Sequence, residues 1–117
     1  GLLALAGNPR LAPALIAMFQ APAHPWTLPE LADLCHMSRA TLARQFKERV
    51  GRSAADLLTD IRMTLAASQL RQGGTSTGAI ADAVGYQSEA AFQRAFKHRM
   101  GVTPAVWRRA NHGSGEE

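Results

Sequence analysis

The chain has 117 residues, of which 46% are hydrophobic, and this suffices for one average domain or two very small subdomains without disulfide support. Thirteen Lys and Arg against nine Asp and Glu give a formal net charge of +4 and an isoelectric point near 10.2, so polyanions are the first class of partner to consider. The single cysteine excludes an internal disulfide framework, and no apolar run approaches the length of a membrane span. We therefore expect a cytoplasmic protein with no membrane partner.

The first helix is predicted to begin at Asn8 and Pro9, since asparagine caps helices and proline fits the first helical turn. Residues 1–7 are typical of the end of a linker, and we expect the chain to be an excised part of a longer protein. The apolar face of this helix is predicted to consist of Leu11, Leu15, Met18 and Phe19. Trp26 is expected to fill a gap in the nearby core.

Two helices joined by a tight turn are predicted next. Thr27, with Glu30 three residues later, forms a capping box that begins a short helix of about residues 28–35. Ser38 caps the second helix, and Gly51 ends it. The apolar stripe of this second helix is predicted to consist of Leu42, Phe46 and Val50.

A long helix over residues 53–72 is predicted to follow. Ser53 caps this helix, and Gly73 and Gly74 suit its left-handed end. Its apolar positions are Leu57, Leu58, Ile61, Leu65 and Leu70. A helix of about twenty residues spans roughly 30 Å, so it can link two small bodies.

The remaining chain repeats the plan of two helices and a turn. A short helix is predicted near residues 77–84, and Ser88 caps a second helix that Gly101 ends. The buried side of that second helix is predicted to consist of Phe92, Phe96 and Met100. Thr103 and Pro104 then begin a final short helix.

A shift of fifty positions superimposes the second helices of the two copies. The matching pairs are Ser38 with Ser88, Ala40 with Ala90, Arg44 with Arg94, Phe46 with Phe96, Lys47 with Lys97, Arg49 with Arg99 and Gly51 with Gly101. This indicates two copies of one unit, since a solenoid would need three or more. The predicted fold is all-α with about seven helices. It comprises a first helix-turn-helix subdomain at 8–52, a linker helix at 53–72, a second subdomain at 73–110 and a flexible tail at 111–117.

The second helix of each copy carries basic and polar residues opposite its apolar stripe, which is typical of the recognition helix of a helix-turn-helix protein. Arginine suits guanine, glutamine suits adenine, and alanine can contact a thymine methyl group. The residues predicted to read base edges are Arg39, Ala40, Ala43 and Arg44 in the first copy and Glu89, Ala90, Gln93 and Arg94 in the second. The residues predicted to contact phosphate are Ser38, Lys47, Arg52, Arg62, Ser88 and Lys97.

Two stretches, LADLCHMSRATLARQFKERVG and IADAVGYQSEAAFQRAFKHRMGVTPAVWRR, carry a close resemblance, supported by Arg62, Met63 and Leu70 of the long helix. They resemble the DNA-binding domain of the AraC/XylS family of bacterial transcription regulators, over about residues 26–109. The resemblance implies two homeodomain-like helix-turn-helix subdomains that insert their recognition helices into successive major-groove segments of double-stranded DNA. It also implies RNA polymerase as a partner and a sensing and dimerising domain upstream, with no cofactor and no enzymatic activity.

Several roles stay open at this point. Arg62 can contact phosphate or pair with Asp60 or Asp33, while Arg49 and Arg99 can neutralise the C-terminal ends of their helices. The alternative function is a helical interaction module that binds an acidic protein. The operator, the effector and the choice between activation and repression are not determined by the sequence.

No catalytic or metal site is predicted. Cys35 lies at an apolar helix position and is expected to be a small buried hydrophobic residue, and the adjacent His36 points in a different direction. The histidines show no H-x-x-x-H spacing, and the one cysteine leaves no C-x-x-C pair. The lone cysteine also excludes the alkyl-transfer chemistry of DNA repair.

Overall fold

Seven α-helices and no strand make up residues 9–112, the part of the chain that the computed structural model describes. In chain order they are α1 (Ala12–Gln20), α2 (Leu28–Leu34), α3 (Arg39–Val50), α4 (Ala54–Gln72), α5 (Thr77–Ala83), α6 (Glu89–Met100) and α7 (Pro104–His112). The predicted linker at 1–7, the predicted cap Asn8 and the predicted tail from 113 onwards lie outside the described residues. The all-α class and the number of helices are confirmed.

The chain divides into two compact units, with the boundary inside α4 between Thr59 and Asp60. Each unit has its own hydrophobic core. None of the helices within residues 9–112 has both the length and the apolar character needed to cross a membrane. The division into subdomains, linker helix and tail that the sequence suggests stays a prediction.

The first helix begins at Ala12, later than the predicted start at Pro9. Residues 9–11 form a turn, in which the Ala12 N–H donates to the Pro9 carbonyl at 3.4 Å. Pro13 therefore takes the place in the first helical turn where a missing N–H costs nothing. The prediction that Phe19 is buried was wrong, because 42% of its surface is exposed. Ala14 lies on the buried face in its place.

The first helix-turn-helix consists of α2 and α3 and begins with the predicted capping box. The Glu30 N–H donates to Thr27 Oγ1 at 3.3 Å, and the Thr27 N–H donates to Glu30 Oε1 at 3.1 Å. At the other end, Gly51 closes α3 with a left-handed φ of 89°. The core of this unit is formed by Leu11, Ala14, Leu15, Met18, Leu31, Ala32, Cys35, Leu42, Phe46, Ala54 and Leu58.

The turns of the two helix-turn-helix motifs have the same backbone hydrogen bonds. The Met37 N–H donates to the Ala32 carbonyl at 3.0 Å, and the Tyr86 N–H donates to the Ala81 carbonyl at 2.9 Å. Each turn requires one left-handed residue, which is glycine only in the second copy. That residue is His36 in the first, with φ 53°, and Gly85 in the second, with φ 98°.

The long helix α4 begins and ends where the sequence predicts. Ser53 Oγ accepts from the Asp56 N–H at 3.1 Å, and Gly73 follows the helix with a left-handed φ of 76°. Leu65, one of the apolar positions by which the sequence predicts this helix, has 38% of its surface exposed. The buried face of the second half of α4 is formed by Met63, Ala66, Ala67 and Leu70. These positions follow the i, i+3, i+4, i+7 spacing of a helix face that packs against a core.

The second unit packs α5, α6 and α7 against the later part of α4. A chain of rings runs through its core, with centroid distances of 5.7 Å from Tyr86 to Phe92, 5.7 Å from Phe92 to Phe96 and 6.0 Å from Phe96 to Trp107. The Trp107 indole N–H donates to the Ala67 carbonyl at 3.1 Å. The predicted burial of Phe92 and Phe96 is confirmed, and Trp107 ties α7 to α4.

Candidate nucleic-acid interface

The exposed face of α3 carries the residues that the sequence assigns to base reading. Leu42 and Phe46 are buried on the opposite side of the helix. Their burial orients the other face toward solvent, where Ala40, Ala43, Arg44 and Lys47 are exposed. Arg39 is exposed in the first turn of the helix. The apolar stripe of α3 therefore fixes which side chains are available to a partner.

The same relationship holds in α6, with one addition. Phe92 and Phe96 are buried, and the exposed residues on the other side are Ala90, Arg94 and Lys97. Glu89 is exposed in the first turn of the helix. Gln93 is half-buried, and its Nε2 donates to Glu89 Oε2 at 2.9 Å. Sequence reasoning assigned both residues to base reading but missed their hydrogen bond, which the i, i+4 spacing could have indicated.

Ser38 and Ser88 cap the two recognition helices, as predicted. Ser38 Oγ accepts from the Thr41 N–H at 3.1 Å, and Ser88 Oγ accepts from the Ala91 N–H at 3.1 Å. The Ser38 hydroxyl also donates to Thr41 Oγ1 at 2.9 Å. The cap hydroxyls thus satisfy first-turn N–H groups.

Arg62 lies against an aromatic ring of the second helix-turn-helix. Its guanidinium carbon is 5.6 Å from the centroid of the Tyr86 ring, which is within cation–π range. Burial raises the pKa of the Tyr86 phenol, and the charges of Arg62 and Arg99 partly oppose this shift. Arg62, which the sequence predicts to contact phosphate, therefore contacts the turn between α5 and α6, where Tyr86 lies.

The other arginines with open roles have partners within their own units. The Arg99 guanidinium pairs with the Asp60 carboxylate, and Arg49 Nε donates to Gln45 Oε1 at 3.2 Å. Arg52, predicted to contact phosphate, is half-buried in the loop after α3. From the sequence, Asp60 was a candidate partner of Arg62 only. The structure shows that it pairs with Arg99.

An apolar groove of about 380 Å³ lies beside α3 in the first unit. Ala43 and Lys47 of α3 border it, together with Trp26, Leu31 and Leu58 among others. Trp26 is half-buried at this groove. Its indole N–H donates to the Ala21 carbonyl at 2.8 Å. Within residues 9–112, no three His, Cys, Asp or Glu side chains come together in a group that could hold a metal ion.

Fold and surface together define a protein with two helix-turn-helix motifs, each exposing a basic second helix. A family model described as a helix-turn-helix domain matches residues 31–110. A putative AraC-like transcription regulator of Streptomyces antibioticus is 44% identical over 109 residues, which are 93% of this chain and 36% of that protein. The RCS-specific transcriptional activator RclR of Escherichia coli K12 is 36% identical over 107 residues, or 92% of this chain and 38% of that protein.

Solved structures agree with these relatives. The DNA-binding domain of AdpA, determined in complex with a target DNA, superimposes with a TM-score of 0.84 at 25% identity, covering 90% of this chain and 95% of that chain. The C-terminal domain of the response regulator AraT from Geobacillus stearothermophilus has a TM-score of 0.83 at 34% identity, covering 87% of this chain and 85% of that chain. The chain belongs to the AraC-type helix-turn-helix family of transcription regulators, and the resemblance seen in the sequence is confirmed. The chain spans little more than a third of the length of the curated relatives that it matches.

Proposed function

We propose that this chain is the sequence-specific DNA-binding domain of a transcription regulator and that it reads base edges through α3 and α6. The observation that carries the proposal is the exposure of a basic face on both helices, while their aromatic residues are buried. A protein of the same fold in complex with DNA supports the choice of partner. The function is one of binding, and the chain performs no catalysis.

Base reading is assigned to the two recognition helices. Arg44 and Arg94 are exposed at equivalent positions, and each can donate two hydrogen bonds to a guanine. The small residues Ala40 and Ala90 beside them allow the helix to approach a thymine methyl group. Arg39, Ala43, Glu89 and Gln93 complete the proposed base-reading set.

Phosphate contacts are assigned to residues at the edges of the two faces. Lys47 and Lys97 are exposed on α3 and α6, and a lysine ammonium suits phosphate as a point charge. The remaining proposed contacts are made by Ser38, Arg52, Arg62 and Ser88. N–H groups at the helix starts add to these contacts because they carry partial positive charge.

The full-length protein is proposed to be longer than this chain. The matching parts are only 36% and 38% of the two relatives described above, which supports a sensing and dimerising domain elsewhere in the polypeptide. RNA polymerase is the proposed protein partner, since regulation of transcription requires contact with it or obstruction of it. The proposed location is the cytoplasm, where bacterial DNA is found.

Selection of bound duplexes from random DNA by the 117-residue chain tests the proposal. On a selected duplex we expect Arg44→Ala and Arg94→Ala each to cost about 1 to 3 kcal/mol, with little change on random DNA. Arg71→Ala is the control, because Arg71 is an exposed arginine of α4 outside the proposed contact set. Failure to distinguish selected from random DNA, together with tight binding to an acidic protein, would instead favour the interaction module.

A further inference from the structure

The side chains of Glu89 and Gln93 form a hydrogen-bonded pair within the proposed base-reading set of α6. Gln93 Nε2 donates to Glu89 Oε2 at 2.9 Å. A carboxylate only accepts hydrogen bonds, so the amide nitrogen of Gln93 must face it and the amide oxygen must point away. The pair thus selects one of the two orientations of the Gln93 amide.

A glycine of the preceding helix provides the space that the Glu89 carboxylate occupies. Gly78 lies in the first turn of α5, and a Cβ added there would be 2.8 Å from Glu89 Oε1. That separation is too short for a carbon and an oxygen that are not bonded. Since the carboxylate is the end of a flexible side chain, it would move away while the backbone stayed in place. A methyl group at Gly78 would therefore displace the carboxylate that holds Gln93.

We propose that Gly78 is a positioning residue for base recognition: the absence of its side chain lets Glu89 hold the Gln93 amide in one orientation. This inference rests on the proposed function, because it concerns how α6 distinguishes bases. The held orientation presents the amide oxygen of Gln93 as an acceptor. It favours a base whose major-groove edge offers an amino hydrogen, which is adenine or cytosine.

The first copy has no corresponding arrangement. Arg39 and Ala43 stand where the second copy has Glu89 and Gln93, and Pro29 stands where it has Gly78. An alanine at the position of Gln93 has no amide to orient. Of the two recognition helices, only α6 therefore has a glutamine whose amide orientation is set by a neighbouring carboxylate.

A double-mutant cycle on the 117-residue chain tests the proposal. Four proteins are compared: the parent, Gly78→Ala, Glu89→Ala and the double variant. Each is titrated with a duplex selected by the parent and with duplexes in which one base pair at a time is changed. We expect Gly78→Ala to reduce discrimination at one base pair by about fivefold or more and to leave the melting temperature unlowered, because alanine favours helix over glycine. In the Glu89→Ala background, the same change should have no further effect.

Two results would overturn the proposal. One is unchanged discrimination in Gly78→Ala, and the other is an equal loss with and without Glu89. If the parent protein selects a duplex and Gly78→Ala discriminates between duplexes equally well, only this inference is contradicted. If the parent protein binds all duplexes alike, the proposed function is contradicted.

A measurement without DNA separates the contact from its use. In nitrogen–proton NMR spectra, the side-chain amide signals of Gln93 in Gly78→Ala should move toward their positions in Glu89→Ala. Signals that stay at the parent positions would show that Gly78 does not control the pair, whatever the binding data give.

Discussion

The guanidinium of Arg99, near the end of α6, pairs with the carboxylate of Asp60 on α4, 39 residues earlier in the chain. Both side chains are partly shielded, with 26% of Arg99 and 31% of Asp60 exposed. The pair connects the far end of a recognition helix to the helix that supplies part of the core of the same unit. It thereby helps to fix the direction in which α6 runs.

Loss of this pair should weaken the second unit modestly. We expect Asp60→Asn to lower the free energy of unfolding by about 1 kcal/mol, because a pair partly open to solvent is screened. Urea unfolding at low and high salt measures the effect, and high salt should reduce it. Asp82→Asn, at an exposed position of α5, is the control. A salt-independent loss would show that the pair acts by packing and not by charge.

Each unit should depend on a fully buried phenylalanine that lies at the same position of its recognition helix. Phe46 and Phe96 are 1% and 0% exposed, so truncation leaves a cavity as well as removing apolar area. We expect Phe46→Ala and Phe96→Ala each to destabilise by about 3 to 5 kcal/mol. Calorimetry or urea unfolding measures this, and the exposed Phe19 provides a control in Phe19→Ala. Melting of both core variants like the parent would contradict the assigned buried faces.

Both turns should favour glycine at their left-handed position. Gly85 has a φ of 98° and His36 has a φ of 53°, a region in which side chains cause strain. We expect Gly85→Ala to destabilise by about 1 to 2 kcal/mol, while His36→Gly should cause no loss of stability. Urea unfolding of both variants tests this. A loss in His36→Gly would mean that the histidine side chain stabilises its turn.

Alkaline pH should destabilise the second unit through Tyr86. Burial raises the pKa of this phenol above its ordinary value of 10.0, and Arg62 and Arg99 partly oppose the shift. A raised pKa means that the fold favours the neutral phenol. Its contribution to stability is therefore present below pH 10 and is lost as the pH rises through the raised value. Tyr86→Phe should unfold with less dependence on alkaline pH than the parent. Equal dependence in both proteins would contradict the role of burial.

Arg62 should contribute to DNA binding without regard to sequence. If its guanidinium contacts phosphate, Arg62→Ala weakens binding to selected and random duplexes alike, and the salt slope becomes shallower by about one. Arg62→Lys is the matched control, because it keeps the charge. Titrations at several salt concentrations measure the slope. An unchanged slope would indicate that Arg62 serves only to hold Tyr86 and its neighbours.

The sequence by itself determined the elements of this protein. Serine and threonine caps, glycine ends and aromatic stripes are local signals, so they predict where α2 to α7 lie and which side of α3 and α6 is buried. The letter-by-letter repeat revealed the two copies, and the stretch from Ile80 to Arg109 carried the family resemblance. These properties follow from backbone hydrogen bonding and helical periodicity, which depend on near neighbours in the chain.

Only the tertiary structure decided which residues meet across elements. The buried face of the second half of α4 consists of Met63, Ala66, Ala67 and Leu70, while Leu65 is exposed. The apolar pattern alone does not say which of these positions faces the core. The partners of Arg99 and Arg62, and the space at Gly78 beside Glu89, likewise depend on how helices pack. Such contacts join residues distant in sequence, and no local pattern records them.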